Sequence, residues 1–203
     1  MPEITHGLPV LALVALLAYL LGSVPFGVVV TRLMGLGDVR KIGSGNIGAT
    51  NVLRTGSKPA AAATLILDAG KGAVAVLIAR AALGEDAAQV AALFSFLGHI
   101  FPVYLRFKGG KGVATFLGIL LALSWPVGLA ACATWLVTAL IGRISSVAAL
   151  LAAALSSLWL QPFGQGRMLM LVIVLTVLIY IRHAENLKRL KAGTEPRIGQ
   201  KKS

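Results

Sequence analysis

The chain is short of charge. Asp, Glu, Lys and Arg together make up 13% of its 203 residues, whereas a soluble domain carries roughly a quarter because its surface must face water. Cysteine occurs once, at Cys132 inside an apolar run, which excludes an internal disulfide and a thiol pair for metal. No Lys or Arg precedes the first apolar run; a cleavable secretory signal wants a positive start, so this run reads as a retained first helix. The three histidines, His6, His99 and His183, show no i, i+4 pairing, so no metal site is expected. Acidic residues number only seven.

Apolar residues make up 57% of the chain, with a mean hydropathy of +0.86. They fall into runs suited to crossing a bilayer, where only helices and closed barrels satisfy the backbone, and no strand-like alternation is present. The predicted architecture is all-α: one polytopic membrane domain over residues 1–203, with seven transmembrane helices. These run from about Leu8 to Leu33, within Pro59–Leu83, and over Ala87–Leu105, Gly112–Ser124, Pro126–Ile141, Val147–Leu160 and Met168–Ile181. The fourth and fifth form either one long helix kinked at Pro126 or two short ones turning at Ser124–Pro126. At about 1.5 Å per residue the fourth covers only roughly 20 Å.

Charge chooses between these. Net charge is +12, and with two helices Arg32, Arg40, Lys41, Arg54, Lys58, Arg106, Lys108, Lys111, Arg143 and the basic tail share one side. Arg80 and Arg167 alone take the other. The positive-inside rule then favours seven spans, with the N-terminus outside and the C-terminus cytoplasmic. Basic residues placed between apolar runs, with few aromatics, point to lipid headgroups or phosphorylated substrates and away from nucleic acid.

All the unusual polar segments follow odd-numbered spans and so share that face. Gly43-Ser44-Gly45-Asn46-Ile47-Gly48-Ala49-Thr50-Asn51, then Arg54, contains G-x-G-x-x-G without the strand a dinucleotide site needs. Its glycines still let backbone N–H groups converge on an anion, and Ser, Thr and Asn add donors. Gly98-His99-Ile100-Phe101-Pro102 leads to Phe107-Lys108-Gly109-Gly110-Lys111-Gly112, which sets two lysines among glycines before a helix, a phosphate-binding pattern. Arg143-Ile144-Ser145-Ser146 is weaker. In Arg182-His183-Ala184-Glu185-Asn186, His183 and Asn186 share a helix face. Asp68 and Lys71, also three apart, lie inside an apolar span, either neutralising one another or acting beneath the site.

Taken together, Gly43–Arg54, G-H-x-F-P at Gly98–Pro102, F-K-G-G-K-G-V-A-T at Phe107–Thr115, R-x-x-S-V at Arg143–Val147 and R-H-x-E-N-x-x-R-L at Arg182–Leu190 resemble the bacterial acyl-phosphate:glycerol-3-phosphate acyltransferases. The resemblance also takes in L-D-x-x-K-G at Leu67–Gly72. It implies a seven-helix enzyme of the bacterial inner membrane, with its active site on the cytoplasmic face. Such an enzyme makes lysophosphatidic acid and phosphate from acyl phosphate and glycerol 3-phosphate, without cofactor or metal. It implicates Ser44, Arg54, Lys111, Ser146, His183 and Asn186 in catalysis. Gly43, Gly45, Asn46, Gly48, Thr50, Asn51, His99, Lys108, Gly109, Gly110, Gly112 and Arg143 are expected to bind substrate phosphate. Membrane lipid is an expected partner; the oligomeric state stays open, a monomer included.

Two rival classes fit less well. An anion transporter would show broken helices in paired halves and polar groups from both faces. A CDP-alcohol phosphotransferase would need an aspartate-rich helix for divalent metal.

Overall fold

The computed structural model describes residues 2–199, and among these there are helices and turns but no strand. The α-helices are α1 (Leu8–Gly22), α2 (Phe26–Leu33), α3 (Ala49–Val52), α4 (Lys58–Leu83), α5 (Glu85–Ile100), α6 (Val113–Leu123), α7 (Trp125–Gly142), α8 (Ser145–Trp159), α9 (Leu169–Arg182) and α10 (Ala184–Lys191).

Local chemistry explains several boundaries. Ser57 accepts from the Ala60 N–H at 3.2 Å, and Pro59 sits in the first turn of α4, where its missing N–H costs nothing. Gly84 ends α4 at φ +90° and starts α5, whose first turn carries Glu85 and Asp86 against the positive end of the helix dipole.

Backbones approach closely where glycine removes the side chain. A Cβ on Gly22 would lie 2.1 Å from the Ser95 carbonyl, and one on Gly118 would lie 2.1 Å from the Ala69 carbonyl. Such contacts pack helices tightly in lipid, where apolar burial no longer drives association. Phe96, Phe116, Ile119, Leu120, Leu175 and Ile179 fill the centre, while Leu16, Leu17, Ile66, Ile78, Leu140 and Ile181 face outward.

The long helices alternate in direction. Thr5 and His6 donate to Asp86 while Tyr19 donates to the Phe101 carbonyl, so α1 and α5 run parallel. Thr115 bonds the Asp68 carbonyl and Arg80 bonds the Ala122 carbonyl, so α4 and α6 run parallel. Trp159 reaches Thr134, and Tyr180 and Thr176 reach the carbonyls of Leu150 and Ala153, so α8 opposes both α7 and α9. One end of the bundle therefore gathers the loops after α1–α2, α5, α7 and α9.

Two expectations are refined. The stretch Leu8–Leu33 is not one continuous helix: it breaks at Ser23–Pro25, because Pro25 lacks an N–H and restricts Val24. The Val24 carbonyl freed by the break accepts from Lys71 Nζ at 2.8 Å. For α6 and α7, the two-helix alternative holds. A Cβ on Gly128 would lie 2.5 Å from the Leu121 backbone, contact that a hairpin makes and a kinked rod does not. Among the described residues four stretches qualify as membrane spans by length and composition, counting α1–α2 as one, and a fifth if α9 and α10, bent by 60°, are joined; α6 and α8 are shorter apolar helices.

Candidate functional site

The loop before α4 is built around one side chain. Asn51 is buried, and its Nδ2 donates to the carbonyls of Val39, Ile42 and Asn46 at 2.8–3.0 Å. Its Oδ1 accepts from the Ser44 N–H, the Ser44 hydroxyl and Arg54 Nη1 at 3.1–3.3 Å. One amide thus folds the glycine-rich segment and pins Ser44 and Arg54 on the same side. Gly43, at φ +54°, lies where a Cβ would strike Arg54 and Asn51. Gly45 also has positive φ, and the Gly48 carbonyl accepts the Asn51 N–H at the start of α3. Asn46 Oδ1 is buried without a hydrogen-bond partner.

The turn between α5 and α6 is clamped from two directions. The Gly110 N–H donates to the His99 carbonyl at 3.1 Å. Arg182 donates to the Gly109 carbonyl at 2.9 Å and the Gly110 carbonyl at 3.1 Å, with its guanidinium over the Phe101 ring. Gly112, at φ +86°, lets the chain pass Phe96 into α6.

Lys111, next in the chain, donates to Asn186 Oδ1, and Asn186 Nδ2 donates to Glu195 Oε1. Ser146 donates to the same Glu195 oxygen at 2.7 Å, and Arg189 Nε donates to Oε2 at 2.7 Å. Thr50 and Ser145 hydroxyls meet at 3.2 Å. The first polar segment thus touches the third, the third reaches the fourth through Glu195, and the fourth holds the second through Asn186. Four segments far apart in sequence are joined in an open ring, first to third to fourth to second, with Arg54 of the first within electrostatic reach of Lys111 of the second.

The ring is electropositive. Burial lowers the Lys111 pKa to about 8; Glu195 opposes that shift, while Arg189, Arg54 and Arg182 add to it by repulsion. Burial alone would raise the Glu195 carboxyl, yet hydrogen bonds from Asn186, Ser146 and Arg189 outweigh it and keep its pKa below the usual value. His183 is buried, with Nδ1 2.8 Å from the Ile179 carbonyl. A carbonyl only accepts, so Nδ1 carries the proton and Nε2 keeps its lone pair. Burial pushes this histidine down to about 4, so its imidazole is neutral.

Not every expected residue joins the ring. Lys108 is exposed and stands apart from these contacts. Arg143 is exposed at φ +53°, and its carbonyl accepts the Ile198 N–H, tying down the tail. His99 lies beneath the glycines, 4% exposed and 3.6 Å from Asp68. Glu195, Arg182 and Arg189 were not among the expected site residues. For Glu195 a signal existed: it is the sole acid after Glu185 in a basic tail, and it follows Gly193, whose positive φ turns the chain back from α10.

Known proteins resemble this chain in sequence and in fold. A family model described as glycerol-3-phosphate acyltransferase matches residues 12–193. A glycerol-3-phosphate acyltransferase of Cereibacter sphaeroides is 67% identical over 203 residues, all of this chain and 97% of the relative. One of Dinoroseobacter shibae is 64% identical over the full length of both. The crystal structure of PlsY (YgiH), an integral membrane glycerol 3-phosphate acyltransferase, superposes in its glycerol 3-phosphate form with a TM-score of 0.88 and 41% identity. That match covers 94% of this chain and 96% of the other. The lysophosphatidic acid form gives 0.87 and 40%. By its sequence along nearly its whole length, and by its fold, the chain belongs to the glycerol-3-phosphate acyltransferase family.

Proposed function

We propose that this chain transfers a fatty acyl group from acyl phosphate to glycerol 3-phosphate, yielding lysophosphatidic acid and inorganic phosphate. The observation that carries the reading is the run of hydrogen bonds Lys111–Asn186–Glu195–Ser146, with Arg54, Arg182 and Arg189 within electrostatic reach of Lys111. Two phosphorylated substrates bring roughly four negative charges to one site. A set of cations and glycine-turn amides offsets that repulsion and aligns the pair.

In this reading Lys111 and Arg54 hold phosphate, and Ser44, Ser146 or Asn186 orients the hydroxyl and the carbonyl oxygen. Asn51, its amide used up within the loop, shapes the site. The hydroxyl oxygen attacks the acyl carbon, the bond from that carbon to the phosphate oxygen breaks, and the hydroxyl proton leaves on the departing phosphate. His183 is the protein alternative as acceptor through Nε2, but a neutral ring pushed down to about 4 holds a proton weakly, which favours the phosphate.

The same reading places seven helices across the bacterial inner membrane, N-terminus outside, with the ring at the cytoplasmic face and the acyl tail entering between helices from the lipid. The alternating helix directions and the excess of basic residues at the ring's end support it. The test is purified protein given acyl phosphate and glycerol 3-phosphate, with phosphate release followed beside an acyl-CoA control. Release that needs both substrates is expected; transfer from acyl-CoA at an equal rate would overturn the donor assignment.

A further inference from the structure

Beneath the ring lies a cluster the proposed reaction does not use. Asp68 and Lys71 of α4 and His99 of α5 are 1%, 4% and 4% exposed. Lys71 Nζ is 2.9 Å from Asp68 Oδ1 and His99 Nδ1 is 3.6 Å from the same oxygen. Lys71 also donates to the Val24 carbonyl in the break between α1 and α2, and Thr115 of α6 donates to the Asp68 carbonyl at 2.9 Å. Buried charge inside an apolar bundle is costly, so a cluster joining α1–α2, α4, α5 and α6 calls for a reason.

The reason lies directly above. Gly110 rests on the His99 ring so closely that a Cβ there would fall 2.2 Å from Nε2, and one on Gly109 would fall 2.2 Å from the His99 carbonyl. The Gly110 N–H is bonded to that carbonyl, and Arg182 holds both glycine carbonyls from the side. Lys111 continues from this seat and places its ammonium on Asn186. We infer that Asp68, Lys71 and His99 form a buried platform that positions the Gly109–Gly110 turn, and through it the Lys111 ammonium, without touching substrate. His99 is thereby a positioning residue rather than a phosphate ligand. The inference rests on the reading of Lys111 as a phosphate-binding group.

A double-mutant cycle tests it, because a residue acting only through Lys111 loses its effect once Lys111 is gone. His99→Ala should lower kcat/KM for acyl phosphate by about a hundredfold, the size expected of a roughly 1 Å misplacement. Added to Lys111→Ala it should cost almost nothing more. Equal losses in both backgrounds would show that His99 acts on its own and overturn the platform. His99→Gln, of similar bulk, supplies a second cycle read in the same way where the alanine variant folds poorly. A substrate-free readout separates this inference from the proposed reaction. Amine-reactive labelling of Lys111, followed by mass spectrometry, should speed up severalfold when the platform is removed. Unchanged labelling overturns the platform whatever the substrate, whereas faster labelling in a protein that never releases phosphate would sink the proposed reaction alone.

Discussion

Asn186 divides its amide between two charges: Oδ1 accepts from the Lys111 ammonium while Nδ2 donates to the Glu195 carboxylate. Asn186→Asp keeps the shape but sets a second carboxylate against Glu195. Hydrogen bonds to charged groups contribute about 1.5–3 kcal/mol, so phosphate release should fall by about 10- to 100-fold. Asn186→Ala should lose a similar amount, measured with both substrates saturating.

The Lys111 pKa, at about 8, gives a pH dependence with a definite sign. The ammonium is charged below that value and neutral above it, so phosphate binding weakens as pH rises through it. For the free enzyme kcat/KM should fall above about pH 8, approaching tenfold per unit. Lys111→Arg, whose guanidinium stays protonated, should flatten this limb even if its maximum is lower.

Glu195 holds the tail to the ring. Glu195→Gln loses the charge facing Arg189 and turns an amide donor toward Arg189 or toward Ser146 and Asn186. A lost charge-assisted bond of about 1.5–3 kcal/mol should lower the melting temperature in detergent by several degrees. Because the folded carboxyl titrates below its ordinary value, its contribution is present above the unfolded pKa and fades as pH falls through the folded one. The gap between wild type and variant should therefore close in acid.

Gly43→Ala forces a side chain onto φ +54° and drives its Cβ to 2.5 Å from Arg54 Nη1. Strain of about 1–2 kcal/mol, together with displacement of Arg54, should raise the KM for phosphorylated substrates by about tenfold. Gly56→Ala, whose Cβ meets nothing within 4 Å, carries the same φ penalty and should leave KM alone.

Topology is open to labelling. In a Cys132→Ala background, Lys108→Cys should resist an impermeant thiol reagent applied to intact cells and react after lysis. Gly164→Cys, at the opposite end of the bundle, should react in both. Labelling of Lys108→Cys from outside would invert the proposed orientation.

Much of this site was legible in the residues. The Gly43–Arg54 and Lys108–Gly112 segments declared themselves because glycines and basic side chains crowd together in a chain otherwise short of both charge and loops. The pairing of Asp68 with Lys71 was visible from helical spacing alone. The break at Ser23–Pro25 went unread because Leu8–Leu33 is apolar over most of its length, and hydropathy does not register a lost N–H.

Composition and periodicity determined that the chain would be helical, lipid-facing and basic at one end, since each is a sum over local choices that the backbone and the bilayer impose. That four separated segments would meet around one site, that Asn51 would spend both ends of its amide inside its own loop, and that Glu195 would join Ser146 to Asn186 were decided by tertiary structure. Those contacts depend on which helices lie side by side and how closely their glycines let them approach, and no single segment carries that information.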